Sequence, residues 1–176
     1  MNASLNAKDL QEKSSHLKSY WRQLGLKRIV EASDDHAFYL STCLTAGHIP
    51  NIQLTAVLKQ GLNPESLSAV IDAQLPATIT LSPATQAFIQ QASAVLAPIA
   101  LIINPEAVQL VIRQARLISL NTKINSRAML DTIQILAPLL HHACLQIEQQ
   151  QLSCEEARTM ADLLSEHWFE VIGHEA

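Results

Sequence analysis

Histidine and cysteine are the side chains whose spacing in this sequence comes closest to a chemical site. His141 and His142 are adjacent, and Cys144 follows His141 by three residues, which places His141 and Cys144 on one face of a helix. Together with His167 they offer the imidazole and thiolate ligands that zinc or iron accepts. Adjacent histidines, however, point about 100° apart on a helix and cannot easily share one ion. We therefore predict that the His141, His142 and Cys144 group packs on a helix face and holds no metal, and we keep a metal-dependent enzyme built on His141, Cys144 and His167 as an alternative.

A second candidate for chemistry is Asp34-Asp35-His36, which could supply a carboxylate and a base for hydrolysis. Ser33 precedes it as a possible helix cap, and acidic residues are expected in the first turn of a helix. No serine or cysteine nucleophile is placed beside it by any pattern. The sequence thus predicts no catalytic residue, and the protein is expected not to be an enzyme.

Glycine supplies no phosphate-binding loop. Each of the four glycines, Gly25, Gly47, Gly61 and Gly173, falls where a predicted helix ends, which is the usual place for a left-handed cap. No Walker, Rossmann or nucleophile-elbow pattern occurs. We accordingly predict no cofactor and no cofactor-binding residue.

Basic residues form a cluster that could face nucleic acid. It consists of Arg113, Arg116, Lys123 and Arg127. The segment lacks the glycine-containing turn between two short helices that is typical of a helix-turn-helix. We keep nucleic-acid binding, or a related regulatory role, as the first alternative function for this chain.

The formal net charge is −4, but its distribution along the chain is uneven. Residues 1–28 form a predicted basic amphipathic helix with six basic groups against Asp9 and Glu12. Residues 153–173 form a predicted acidic helix, and the last 29 residues carry seven acidic groups against Arg158 alone. The two ends could attract each other, or each could face a different partner.

The overall pattern predicts an all-α fold, because Leu, Ala, Ile and Gln dominate and aromatic residues are few. We expect one compact helical domain over residues 1–176 with about six to eight helices. One helix is expected from Ser33 to Gly47, a short one from Asn51 to Gly61, and another from Asn63-Pro64-Glu65 to Pro76. A five-residue segment, 77–81, is the only one with strand character, and its short length favours an extended connector.

Proline interrupts the expected central helices. The central helix starts at Ser82-Pro83, and Pro98 kinks or breaks it within an apolar run from Ala94 to Ile103. Asn104-Pro105-Glu106 should start a helix to Leu120. A long helix is expected over 126–150, interrupted at Pro138. The last helix has the clearest start, a capping box of Ser153 and Glu156.

Compartment and membrane relations follow from the cysteines and the hydropathy. Three cysteines without a CxxC pair indicate a reducing compartment, so a cytoplasmic location is expected. No signal peptide is visible before Asp9. The uncharged run from Ala73 to Pro105 has a continuous apolar part of about half the length that a spanning helix needs, so we predict no membrane span.

Three segments, VIRQARLISL, RAMLDTIQILAPLLHHACL and SEHWFEVI, follow one another in a Leu-, Ala- and Gln-rich chain without a catalytic pattern. In this layout the chain resembles the SctK group of cytosolic accessory proteins of bacterial type III secretion, which includes the HrpD proteins of plant pathogens. The resemblance implies a non-enzymatic adaptor for protein transport and virulence, held at the inner face of the membrane through ring or sorting-platform partners. No site residue is carried over from the family.

Overall fold

The computed structural model describes residues 7–61, 66–119 and 127–173. They form an α+β structure of four helices and a six-stranded antiparallel sheet, so the all-α prediction is wrong. The helices are α1 (Ala7–Gln23), α2 (Pro83–Val95), α3 (Arg127–Gln150) and α4 (Cys154–Gly173). The strands are β1 (Val30–Ser33), β2 (Ala37–Ala46), β3 (Ile49–Gln60), β4 (Ser66–Thr78), β5 (Ile99–Asn104) and β6 (Gln109–Ser119).

The sheet has the strand order β1-β2-β3-β4-β6-β5, with every neighbouring pair antiparallel. The first four strands are joined in sequence, while α2 and β5 are inserted before β6 returns to pair with β4. β5 therefore occupies one edge and the four-residue β1 the other. Both long helices at the end of the chain follow the completed sheet.

Alternation of buried and more exposed side chains explains why the central segments β3 and β4 are strands. In β3, Ile52, Leu54, Ala56 and Leu58 are buried, and the residues between them are exposed or half-buried. This period of two puts the apolar set on one face of the sheet. A set spaced by two also contains the i, i+4 spacing of a helix, and leucine and alanine are good helix formers. The helical interpretation of residues 33–61 followed from that ambiguity and is wrong.

All the inward side chains meet helices on the same face of the sheet. α1 packs on β2 and β3, α3 crosses β2, β4 and β6, and α2 lies against β5. Ile133, Leu136 and Leu140 of α3 are fully buried in this layer, as is Trp21 of α1. The amide of Gln114, one of the few buried polar side chains, donates from the sheet to the Met129 carbonyl of α3 at 3.1 Å. α4 packs mainly on α2, away from the sheet.

The predicted start signals with Asn and Pro did not begin helices. Asn63-Pro64-Glu65 lies outside the described residues, and the segment after it is β4, which continues through Pro76. Asn104 caps a turn instead, because its Oδ1 accepts from the backbone N–H groups of Glu106 and Ala107 at 3.0 and 3.4 Å. The chain then enters β6. An Asn side chain satisfies the first amides of a turn as well as those of a helix, so local sequence does not distinguish the two.

The central apolar stretch is half helix and half strand. α2 begins as predicted, with Ser82 at the N-cap accepting from the Thr85 N–H and Pro83 in the first turn. It ends at Val95, and after the cis peptide bond between Ala97 and Pro98 the chain forms β5 rather than a second helix. Ile99 and Leu101 of β5 are buried.

The two C-terminal helices were predicted correctly in their boundaries. α3 spans Arg127–Gln150, and Pro138 lies inside it without ending it. The capping box before α4 is confirmed: Ser153 Oγ accepts from the Glu156 N–H at 3.3 Å, and the Glu156 carboxylate accepts from the Ser153 N–H at 2.8 Å.

Glycine has fewer helical roles than predicted. Gly47 lies in the tight turn between β2 and β3, and Gly61 follows β3, so neither ends a helix. Gly25 follows α1 at φ +84° and fits its predicted role.

The uncharged run from 73 to 105 is divided among β4, α2 and β5. By length and composition one described helix, α3, is apolar enough to cross a membrane, and 44% of its most apolar stretch is buried inside the protein. Core helices pass the same test.

Candidate interaction surfaces

The histidine and cysteine group does not assemble a metal site. Cys144 is buried, and burial, aided by the nearby Glu148 carboxylate, raises the pKa of its thiol to about 12, so the thiol stays protonated at neutral pH. His167 lies on α4, exposed. Within the described residues no group of three His, Cys, Asp or Glu side chains could hold a metal ion.

His141 instead meets a histidine that the sequence analysis did not single out. The rings of His141 and His48, from the β2–β3 turn, lie with their centroids 5.7 Å apart. Burial lowers the pKa of His141, and the neighbouring His48 and His142 lower it further. His141 Nδ1 is buried without a hydrogen-bond partner. The neutral ring is the form that fits this position.

Asp34 serves the turn between β1 and β2 rather than catalysis. Its Oδ1 accepts from the N–H groups of His36 and Ala37, both at 2.8 Å, and its Oδ2 accepts from the Tyr39 hydroxyl at 2.9 Å. These bonds lower the pKa of Asp34, the His36 N–H contributing most. A carboxylate held in this way fixes the hairpin and is a poor proton acceptor.

The predicted basic cluster is dispersed by the strand geometry. Arg113 and Arg116 are three residues apart in β6, so their side chains leave opposite faces of the sheet. Arg113 is engaged with Asp72 across two hydrogen bonds of 2.8 and 2.7 Å, which raise the pKa of the guanidinium. Arg127 lies in α3, 3.7 Å from the Asp131 carboxylate, and Lys123 lies outside the described residues. The described arginines therefore do not form one nucleic-acid face.

The two charged helices lie in different places. α1 packs on β2 and β3, and its Lys18 ammonium contacts the Glu31 carboxylate of β1 at 2.6 Å. α4 packs on α2. α1 also buries its apolar stripe, including Leu10, Leu17 and Trp21. The basic helix α1 and the acidic helix α4 therefore pack on different elements of the protein.

The sheet leaves one face without a covering layer among the described helices. A strip of apolar or aromatic side chains crosses five adjacent strands on this face, one residue from each, in a register set by the strand pairing. Its members are Ala32, Tyr39, Val57, Val70 and Ala115, all exposed or half-buried. With strands about 4.8 Å apart, the strip is roughly 19 Å long. We call these five residues the apolar strip.

Polar groups border the apolar strip on one side. The row beside it contains Ser41, Thr55 and the Asp72–Arg113 ion pair. On the other side Leu117, 67% exposed, stands opposite Ser68. The Asp72 and Arg113 charges satisfy each other, and the exposed Lys59 lies in the row on the other side, opposite Ser68, so the apolar strip itself carries no charge.

The first part of the sheet edge at β5, from Ile99 to Leu101, is closed to an added strand. The N–H of Ile99 donates to the Leu96 carbonyl at 3.0 Å, and the N–H of Leu101 donates to Ser93 Oγ at 3.1 Å. Outward-facing amides of this edge are thereby used by the end of α2 and the turn after it. A partner is better accommodated on the open face than along this edge.

A comparison of the chain with protein-family models, curated proteins and solved structures finds no match. The geometry is therefore the basis for functional inference. Sequence reasoning missed the apolar strip because its members belong to five separate strands, and only the register brings them into a row. The detectable signal was the alternation within β3 and β4.

Proposed function

We propose that this protein is a non-enzymatic adaptor that binds another protein through the open face of its sheet. The observation that carries the proposal is the apolar strip, about 19 Å of side chains that no described helix covers. An apolar row between polar rows is the usual composition of a protein-binding surface. The strip is narrow, so the expected occupant is a single apolar segment of the partner.

Two of the residues that could have supported catalysis have structural tasks, which favours binding over chemistry. Asp34 holds a turn, and Cys144 is buried and protonated. We place the adaptor in bacterial type III secretion, cytoplasmic and attached to the inner face of the membrane through its partners. This setting rests on the resemblance of three segments, since the all-helical layout no longer supports it.

The test is co-purification from the native cell with the wild-type chain and two variants. Val57→Glu combined with Val70→Glu places two charges at the centre of the apolar strip. Gln53→Glu adds a charge to the same face of β3 outside the strip, at an exposed position, and serves as the control. Because all three side chains are at least partly exposed, the variants should keep the wild-type circular dichroism spectrum.

We expect secretion-ring or sorting-platform components with the wild type and with Gln53→Glu, and their loss with the double variant. Binding of the same components to the double variant would refute the role of the strip. Absence of all secretion components from the wild-type eluate would refute the adaptor assignment.

A further inference from the structure

α3 and α4 are held by different parts of the molecule, and a groove opens between them. α3 packs on the sheet, and α4 packs on α2, where the Gln91 amide donates to Asp162 Oδ1 at 2.6 Å. Ala157 and Ala161 are fully buried on that side of α4. The two long helices consequently make little contact with each other. The groove between them has a volume of about 240 Å³.

Each helix lines this groove with a regular stripe. α3 contributes Leu139, Ala143 and Gln146, and α4 contributes Met160, Leu163 and Leu164. With His142 and His167, each set has the spacing i, i+3, i+4 and i+7. This is the pattern of a helix face that packs against another helix. No helix among the described residues occupies the groove between these two faces.

The apolar side chains that α4 contributes to the groove are partly exposed to solvent. Leu163 is 59% exposed although it lies between Met160 and Leu164 on an apolar face. Leu163 and Met160 also line a second depression that continues toward the first turn of α4. From Glu155 to His167 the combined groove follows α4 for about 18 Å, the length of a helix of about 12 residues.

The charge around the groove defines the occupant. Glu155 and Glu156 line its extension, and no lysine or arginine lines either part. Within 154–168 the acidic groups outnumber Arg158 four to one. These acids favour a partner with lysine or arginine beside its apolar stripe and disfavour an anionic lipid surface.

A second copy of this chain does not fit that description. Its basic amphipathic helix is α1, but the apolar stripe of α1 is already buried on β2 and β3, with Leu17 and Trp21 at 1% and 0% exposure. Releasing α1 would expose part of the core. The described part of the chain therefore offers no free basic amphipathic helix for this groove.

We propose that the α3–α4 groove binds a basic amphipathic helix of a partner protein. The helix lies between α3 and α4 with its apolar residues against Leu139, Met160 and Leu163 and its cations toward Glu155 and Glu156. This is helix-in-groove recognition. The groove is separate from the apolar strip on the other face of the sheet, so the protein has two docking surfaces and can join two partners.

The experiment measures binding of a defined probe to the full-length chain by fluorescence anisotropy. The probe is a labelled helical peptide of about 18 residues, long enough for helix formation, with leucines at i, i+3, i+4 and i+7 and lysines beside them. A matched peptide carries glutamates in place of the lysines. Leu163→Glu tests the groove, and Leu117→Glu, an equally exposed leucine on the open face of the sheet, is the control.

We expect saturable binding of the lysine peptide to the wild type and to Leu117→Glu. Leu163→Glu should weaken it by about tenfold or more, since a charge then faces the apolar stripe of the peptide. The glutamate peptide should bind at least about tenfold more weakly, and added salt should reduce the difference between the two peptides.

The absence of saturable binding, or equal affinities of the wild type and Leu163→Glu, would overturn the proposal. Equal binding of the two peptides would overturn the charge assignment and with it the stated partner. Because the experiment leaves the apolar strip unchanged, its failure would not affect the proposed function, and the Val57/Val70 variant likewise leaves the groove intact.

Discussion

The β2–β3 turn rests against the proline inside α3, and a single methyl group at Gly47 tests that contact. Gly47 has φ +54°, a conformation that L side chains rarely adopt. A Cβ at this position would stand 3.0 Å from Cγ and 3.5 Å from Cβ of Pro138. Substitution to alanine therefore combines backbone strain with a steric conflict.

Gly25 provides the matched control, because it has φ +84° and a Cβ there would meet nothing within 4 Å. Gly25→Ala should lower the free energy of unfolding by the left-handed penalty alone, about 1–2 kcal/mol. Gly47→Ala should lower it by a further ~1–3 kcal/mol, the usual range for overpacking. For a chain of this size each kcal/mol corresponds to about 2–4 °C in Tm.

The assay is urea unfolding, with a double-mutant cycle to isolate the contact. Pro138→Ala removes Cγ, the atom nearest the new Cβ, and keeps only the Cβ of residue 138. In that background the free-energy cost of Gly47→Ala should therefore fall to that of Gly25→Ala. Equal costs of the two glycine substitutions in the wild-type background would refute the reasoning. So would a cost at Gly47 that Pro138→Ala leaves unchanged.

Three further predictions concern the buried layer. Cys144 should resist alkylation at pH 8 in the folded protein, while the exposed Cys43 reacts, and both should react in urea. Mass spectrometry identifies the labelled cysteine. Rapid labelling of Cys144 in the folded protein would contradict its burial. The lowered pKa of His141 means that the unfolded chain binds more protons below about pH 6.5, so stability should fall as the pH drops through this range. His141→Gln should flatten that dependence in urea unfolding at several pH values. Ile133→Ala, in the fully buried stripe of α3, should cost about 2–5 kcal/mol in the same assay, and a loss under about 0.5 kcal/mol would contradict the packing of α3 on the sheet.

Helix starts and ends that depend on neighbouring residues were predictable from the sequence. Ser82 and Pro83 define the start of α2, and Ser153 with Glu156 defines the start of α4. Each signal acts within one turn of backbone, so it needs no tertiary context.

Strands β2 to β4 could not be assigned in the same way. Their inward positions are filled mostly by leucine and alanine, and only a few by the β-branched residues that mark a strand. Thr42 and Ser68 are compatible with either structure. What decides for the sheet is pairing between segments, as when Leu54 of β3 stands opposite Ala73 of β4, nineteen residues later in the chain. Single-segment patterns do not contain that information.

The two candidate surfaces also differ in how much of each depends on local sequence and how much on tertiary structure. The acidic character of residues 153–173 and the i, i+3, i+4, i+7 stripe of Met160, Leu163, Leu164 and His167 are properties of one helix, and the sequence by itself determined them. That this stripe borders an open groove depends on α4 leaning on α2 rather than on α3. The apolar strip depends on tertiary structure entirely, because Tyr39, Val57 and Val70 become neighbours only through strand register. Local interactions act within a few residues, so the sequence determines them directly. A surface assembled from separate elements forms only after burial of the opposite face has fixed the positions of those elements.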